Sequence, residues 1–81
     1  MQTTFTVENC NWVGIDEPST PVEVEVKIRY NHAGCPATVV PGPAGSGTAQ
    51  VDLATAQRAI TPGQAAVFYQ DDLVIGGGWI R

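Results

Sequence analysis

Positive charge is scarce in this sequence. Only Lys27, Arg29, Arg58 and Arg81 carry it, against eight acids, for a net charge of −4. Contacts to a phosphate backbone need clustered lysine and arginine, so this composition excludes a stand-alone nucleic-acid binder and leaves room only for an auxiliary RNA contact. Cysteine is nearly as sparse: Cys10 and Cys35 stand far apart, with no second cysteine or histidine at ligand spacing near either. That rules out a CxxC redox pair and suggests no zinc site, and both thiols are expected to be reduced. The single histidine, His32, has no carboxylate or cysteine beside it and reads as a turn residue rather than a catalyst.

Long apolar runs are missing too. Nothing approaches the ~20 residues of a membrane span, and Met1-Gln2-Thr3-Thr4 has neither the basic nor the apolar region of a signal peptide, so a cytoplasmic location is expected. The glycine-rich stretch Pro41-Gly42-Pro43-Ala44-Gly45-Ser46-Gly47 lacks the GK[ST] ending and following helix of a phosphate loop. It is expected to be a flexible connection. With nine glycines and six prolines, the chain also lacks a sustained helical period.

What is present belongs to a packed all-β domain. The 81 residues suffice for one small domain, and 43% apolar against 15% charged residues is a folding composition rather than a disordered one. The clearest pattern is Val22, Val24, Val26, Ile28 and Tyr30 alternating with Glu23, Glu25, Lys27 and Arg29, which predicts a half-buried strand over Val22–Tyr30. Phe5-Thr6-Val7 predicts a strand before it, interrupted around Asn9–Asn11. Cys35–Val40 and Thr48–Leu53 predict two strands after it, the latter with Ala49, Val51 and Leu53 on one face. Asn31-His32-Ala33-Gly34 is expected to turn between neighbouring strands, and residues 54–59 to cross onward through one helical turn.

Pro62-Gly63 suits a type II turn, with proline fixing φ at the second position and glycine supplying positive φ at the third. Ala65–Tyr69 and Leu73–Ile75 flank the polar break Gln70-Asp71-Asp72 as a hairpin, closing on Gly76-Gly77-Gly78-Trp79-Ile80. There the glycines permit positive φ or close backbone approach ahead of an aromatic anchor. About six strands joined by short turns favour a small antiparallel β-barrel, because closure removes exposed sheet edges. The expected core is Trp12, Val67, Phe68 and the Val24-Val26-Ile28 face.

These stretches also carry a resemblance. The run from Gln57-Arg58-Ala59-Ile60 through Thr61-Pro62-Gly63-Gln64 and Ala65-Ala66-Val67-Phe68-Tyr69, an acidic turn, then Leu73-Val74-Ile75-Gly76-Gly77-Gly78-Trp79-Ile80, resembles the C-terminal end of the bacterial tRNA-specific 2-thiouridylases. Asn11-Trp12 is similar to the opening of that family's last domain. Val26-Lys27-Ile28-Arg29-Tyr30 and Pro36-Ala37-Thr38-Val39 are similar to its arginine-tyrosine strand and the strand after it.

The resemblance, which covers most of the chain, implies a β-barrel similar to the second domain of translation elongation factors. It also implies a parent transferase, formerly called a tRNA (5-methylaminomethyl-2-thiouridylate)-methyltransferase, that uses ATP to thiolate the wobble uridine. The family's ATP loop and catalytic cysteines belong to another domain and match nothing here, so this domain is expected to hold no catalytic residue, cofactor or metal. Its implied partners are tRNA and the parent's catalytic domain. Lys27, Arg29, Tyr30 and Arg58 are the RNA-contact candidates. A free-standing protein-interaction barrel is the alternative, favoured by the negative charge.

Overall fold

The computed structural model describes residues 2–28, 34–58 and 60–81. Six strands form it: β1 (Gln2–Trp12), β2 (Val22–Lys27), β3 (Cys35–Pro41), β4 (Ala49–Gln57), β5 (Ala65–Gln70) and β6 (Leu73–Ile80). All pairings are antiparallel, and the sheet closes on itself in the order β1-β4-β3-β2-β5-β6. Every strand therefore has two hydrogen-bonded neighbours, and no edge is left to pair with another chain.

Alternation puts one side chain in two into the barrel. Phe5 and Val7 point inward from β1, Val24 and Val26 from β2, Ala37 and Val39 from β3, Ala49, Val51 and Leu53 from β4, Ala66 and Phe68 from β5, and Ile75 and Ile80 from β6. Small and branched side chains dominate because a barrel this narrow leaves room for little else. Trp12 and Ile28, expected within the core, instead pack against it while remaining half-buried. Val67 does not join it: between inward Ala66 and Phe68, pleating forces it onto the outer wall. The apolar run Ala65–Tyr69 hides this parity, since no polar residue marks its outward positions.

Other expectations meet local corrections. β2 ends at Lys27, and Arg29 to Ala33, with His32 and Tyr30 among them, lie outside the described residues. β4 runs on to Gln57 as strand, so the helical turn expected over 54–59 does not form. Consecutive strands are not all neighbours: β1 to β2 and β4 to β5 connect across the barrel, as closure in this order requires. The interruption at Asn9–Asn11 is a bulge within a single long strand, with Asn9 at φ 51° and the register shifting between Glu8 and Asn11. The first half of β1 pairs with β4 and the second half with β6, and the bulge bends the strand from one to the other.

The Pro62-Gly63 turn forms as predicted. Gly63 has φ 92°, and the Gln64 amide donates to the Thr61 carbonyl. Two further bonds lock the turn to β6, from the Gly63 amide to the Ile80 carbonyl at 2.7 Å and from the Ile80 amide to the Gln64 carbonyl at 2.7 Å.

Candidate nucleic-acid interface

In a closed antiparallel barrel, strand ends alternate between two rims. The register assigns the ends of β2, β4 and β6 and the starts of β1, β3 and β5 to one rim. Lys27 closes β2, Arg58 follows β4 and Arg81 follows β6, so every basic residue among those described falls at this rim. The opposite rim carries Asp16 and Glu17 in the connection after β1, Glu23 near the start of β2, and Asp71 and Asp72 in the β5–β6 turn. A chain that is acidic overall is thus polarised along its barrel axis.

At the basic rim the cations are held in different ways. The Lys27 ammonium lies 4.8 Å from the centroid of the Tyr69 ring, a cation–π contact that fixes the amine over the outer wall. Arg58 is exposed just past the last residue of β4. The Arg81 Nε donates to Glu8 Oε1 at 3.1 Å in an exposed ion pair, and its amide donates to the Thr6 carbonyl at 2.9 Å. Of the residues proposed from sequence, Lys27 and Arg58 are brought to one rim, while Arg29 and Tyr30 lie outside the described residues. Sequence reasoning missed Arg81, because only closure of β6 onto β1 brings the chain's last residue beside the others.

Away from the basic rim, the outer wall divides by character. On β2, β3 and β4 the row Glu23, Thr38 and Asp52 is acidic, and the Thr38 hydroxyl donates to the Glu23 carboxylate. On β5, β6 and β1 an open groove of about 300 Å³ is lined by uncharged residues, with Gly76, Gly77 and Gly78 along its floor and Trp79 on its wall. Trp79 is 51% exposed, so it anchors nothing in the core, contrary to the expectation for the triple glycine. Ile80 is the buried residue of that pair, because the bulged β6 turns Trp79 outward.

Cys10 and Cys35 are free and half-buried. Burial, with a smaller effect of the Glu17 charge, pushes the Cys10 thiol up to about 11, which disfavours the thiolate that a nucleophile needs. Among the described residues no three metal-ligating side chains cluster, and no helix is long and apolar enough to cross a membrane.

Residues 2–80 match the model of the aminomethyltransferase β-barrel domain family. The chain is 50% identical over 79 residues to the tRNA-specific 2-thiouridylase MnmA of Solibacter usitatus (strain Ellin6076), covering 95% of this chain and 21% of that protein. It is 47% identical over 79 residues to the enzyme of the same name from Acidobacterium capsulatum, again covering 95% of the chain and 21% of the relative. With that of Chlorobium luteolum it shares 46% over 81 residues, covering 98% and 22%. The chain thus spans about a fifth of the length of the curated relatives it matches. Matched from end to end by the family and built as the closed barrel its sequence predicts, the chain belongs to the aminomethyltransferase β-barrel domain family, the C-terminal barrel of tRNA-specific 2-thiouridylases.

Proposed function

We propose that this barrel is the non-catalytic C-terminal part of a tRNA 2-thiouridylase and helps position tRNA for ATP-dependent thiolation of the wobble uridine. The observation that carries the reading is the gathering of Lys27, Arg58 and Arg81 at one rim of an otherwise acidic chain. A rim of like charge facing away from an acidic pole orients the domain in the field of a polyanion, so even a few phosphate contacts fix its direction. Arg29 and Tyr30 remain RNA-contact candidates from sequence alone. ATP and the thiolation chemistry belong to the catalytic domain of the parent, which, with the tRNA, is the barrel's partner. The enzyme works in the cytoplasm, where its tRNA substrate resides.

The test uses the Solibacter usitatus enzyme carrying this chain in place of its own matched segment. Lys27→Ala with Arg58→Ala should weaken tRNA binding and flatten its salt dependence by about 0.9 in logarithmic slope for each phosphate no longer neutralised. ATP binding should be unchanged. A double variant that titrates tRNA as the parent does at two salt concentrations removes this rim from the RNA-binding surface.

A second reading, a free-standing protein-interaction barrel, draws on the uncharged groove over β5, β6 and β1. It predicts a bound protein partner when the chain is expressed without any 2-thiouridylase.

A further inference from the structure

The exposed large apolar side chains of the described residues are not scattered. Val13, Ile15, Leu73, Val74 and Trp79 all lie on β6 or on the segment leaving β1, and the Val13 amide donates to the Ile75 carbonyl, which draws that segment against β6. Three of them, Val13, Val74 and Trp79, line the groove whose floor is Gly76, Gly77 and Gly78. Among the described residues no charged side chain lines the groove; the asparagine amides of Asn9 and Asn11 supply its polar groups. An apolar centre with a neutral polar margin has the composition of a surface that another polypeptide covers. Phosphate recognition would need cations, and these gather instead at the rim.

We infer that this groove is the surface on which the remainder of a 2-thiouridylase polypeptide docks, seating apolar side chains against Trp79 and the glycine floor. The inference rests on the reading of the chain as the barrel of such an enzyme. Two observations select this occupant. About four fifths of each relative's length lies outside the matched segment, so a large polypeptide is available in the same chain. Covalent linkage gives it an effective concentration on the order of millimolar, at which a modest groove is enough. The groove opens on the outer wall of β5, β6 and β1, and none of Lys27, Arg58 and Arg81 is among its lining residues, so a domain seated in it leaves those cations for RNA. One wall then holds the enzyme and one rim meets the substrate.

The test is hydroxyl-radical footprinting of the isolated chain and of the Solibacter usitatus and Acidobacterium capsulatum enzymes that carry this chain in place of their matched segments, first without tRNA and then, as a separate control, with tRNA added. Trp79 should be oxidised several-fold more slowly in the enzymes than in the isolated chain. Phe68, fully buried, should stay unlabelled in every sample and so reports that each barrel is folded. Equal labelling of Trp79 in the isolated chain and in both folded enzymes overturns the inference. So does protection that appears only when tRNA is added, which makes the groove an RNA surface. Protection in the isolated chain that grows with its own concentration also overturns it, since the occupant is then a second copy. The docking arm contains no tRNA and the rim substitutions do not touch the groove, so either proposal can fail without the other.

Discussion

Trp12 reaches Phe68 across Gly76. The two rings lie with centroids 5.7 Å apart and planes inclined at 35°, and Gly76 pairs with Phe68 on one side and with Trp12 on the other. A Cβ on Gly76 would sit 2.8 Å from the indole Cε3 and 2.8 Å from the Asn11 carbonyl oxygen. The glycine is therefore what lets an indole close the acidic end of the core. Gly76→Ala should destabilise the barrel clearly more than Gly63→Ala, where nothing lies within 4 Å and the cost is that of a positive φ, about 1 kcal/mol. Paired urea melts check the order.

Phe68 and Val67 give a sharper test of strand parity. Phe68 is fully buried, and Phe68→Ala should cost about 3 to 5 kcal/mol, enough to unfold a domain of marginal stability. Val67 faces the outer wall, so Val67→Ala should stay within about 1 kcal/mol. Thermal melts that reverse this order would shift β5 by one residue and turn its whole face.

Cys10 titrates in a window set by its burial. Its pKa is raised from 9.0 to about 11, so the folded chain holds the proton more tightly than the unfolded chain. The stability this supplies is fully present below pH 9 and is lost as the pH rises towards 11. Cys10→Ser should flatten the alkaline loss of stability, measured as the urea midpoint between those limits. Alkylation of Cys10 by iodoacetamide should be slow at pH 8 and accelerate steadily above pH 9.

Glu8 restrains Arg81 in an exposed ion pair. Such pairs contribute about 0 to 1 kcal/mol, so Glu8→Gln should scarcely change the melting temperature. In the full-length enzyme carrying this chain, it should nonetheless tighten tRNA binding, because it frees a cation at the basic rim and removes a nearby acid. Weaker binding would show that Arg81 needs its partner for orientation.

The alternation of Val22, Val24 and Val26 with charged residues made β2 legible, and Ala49, Val51 and Leu53 made β4 legible, because each pattern is local to one strand. The closed barrel followed from the number of strands. What stayed hidden depends on contacts distant in sequence. Trp79 reads as an anchor after three glycines, yet the tryptophan that packs against the core beside those glycines is Trp12, supplied by a strand at the other end of the chain. Lys27 and Arg58 could be named as single cations, but that they share a rim with Arg81 emerges only once β6 closes against β1. The neutral groove was equally hidden, since its lining comes from β1, β5 and β6 together.

The central claim, that the basic rim is the RNA-facing part of this barrel, is tested most directly by mapping amide chemical shifts of the isolated, isotope-labelled chain as undermodified tRNA is added at low salt. The account predicts weak, fast-exchange shifts confined to the rim at Lys27, Gln57, Arg58 and Arg81, which fade as salt is raised, with Gly45, Asp71 and Asp72 at the opposite rim unmoved. Shifts centred on the acidic rim or the Trp79 groove, or none at any tRNA concentration, would contradict it.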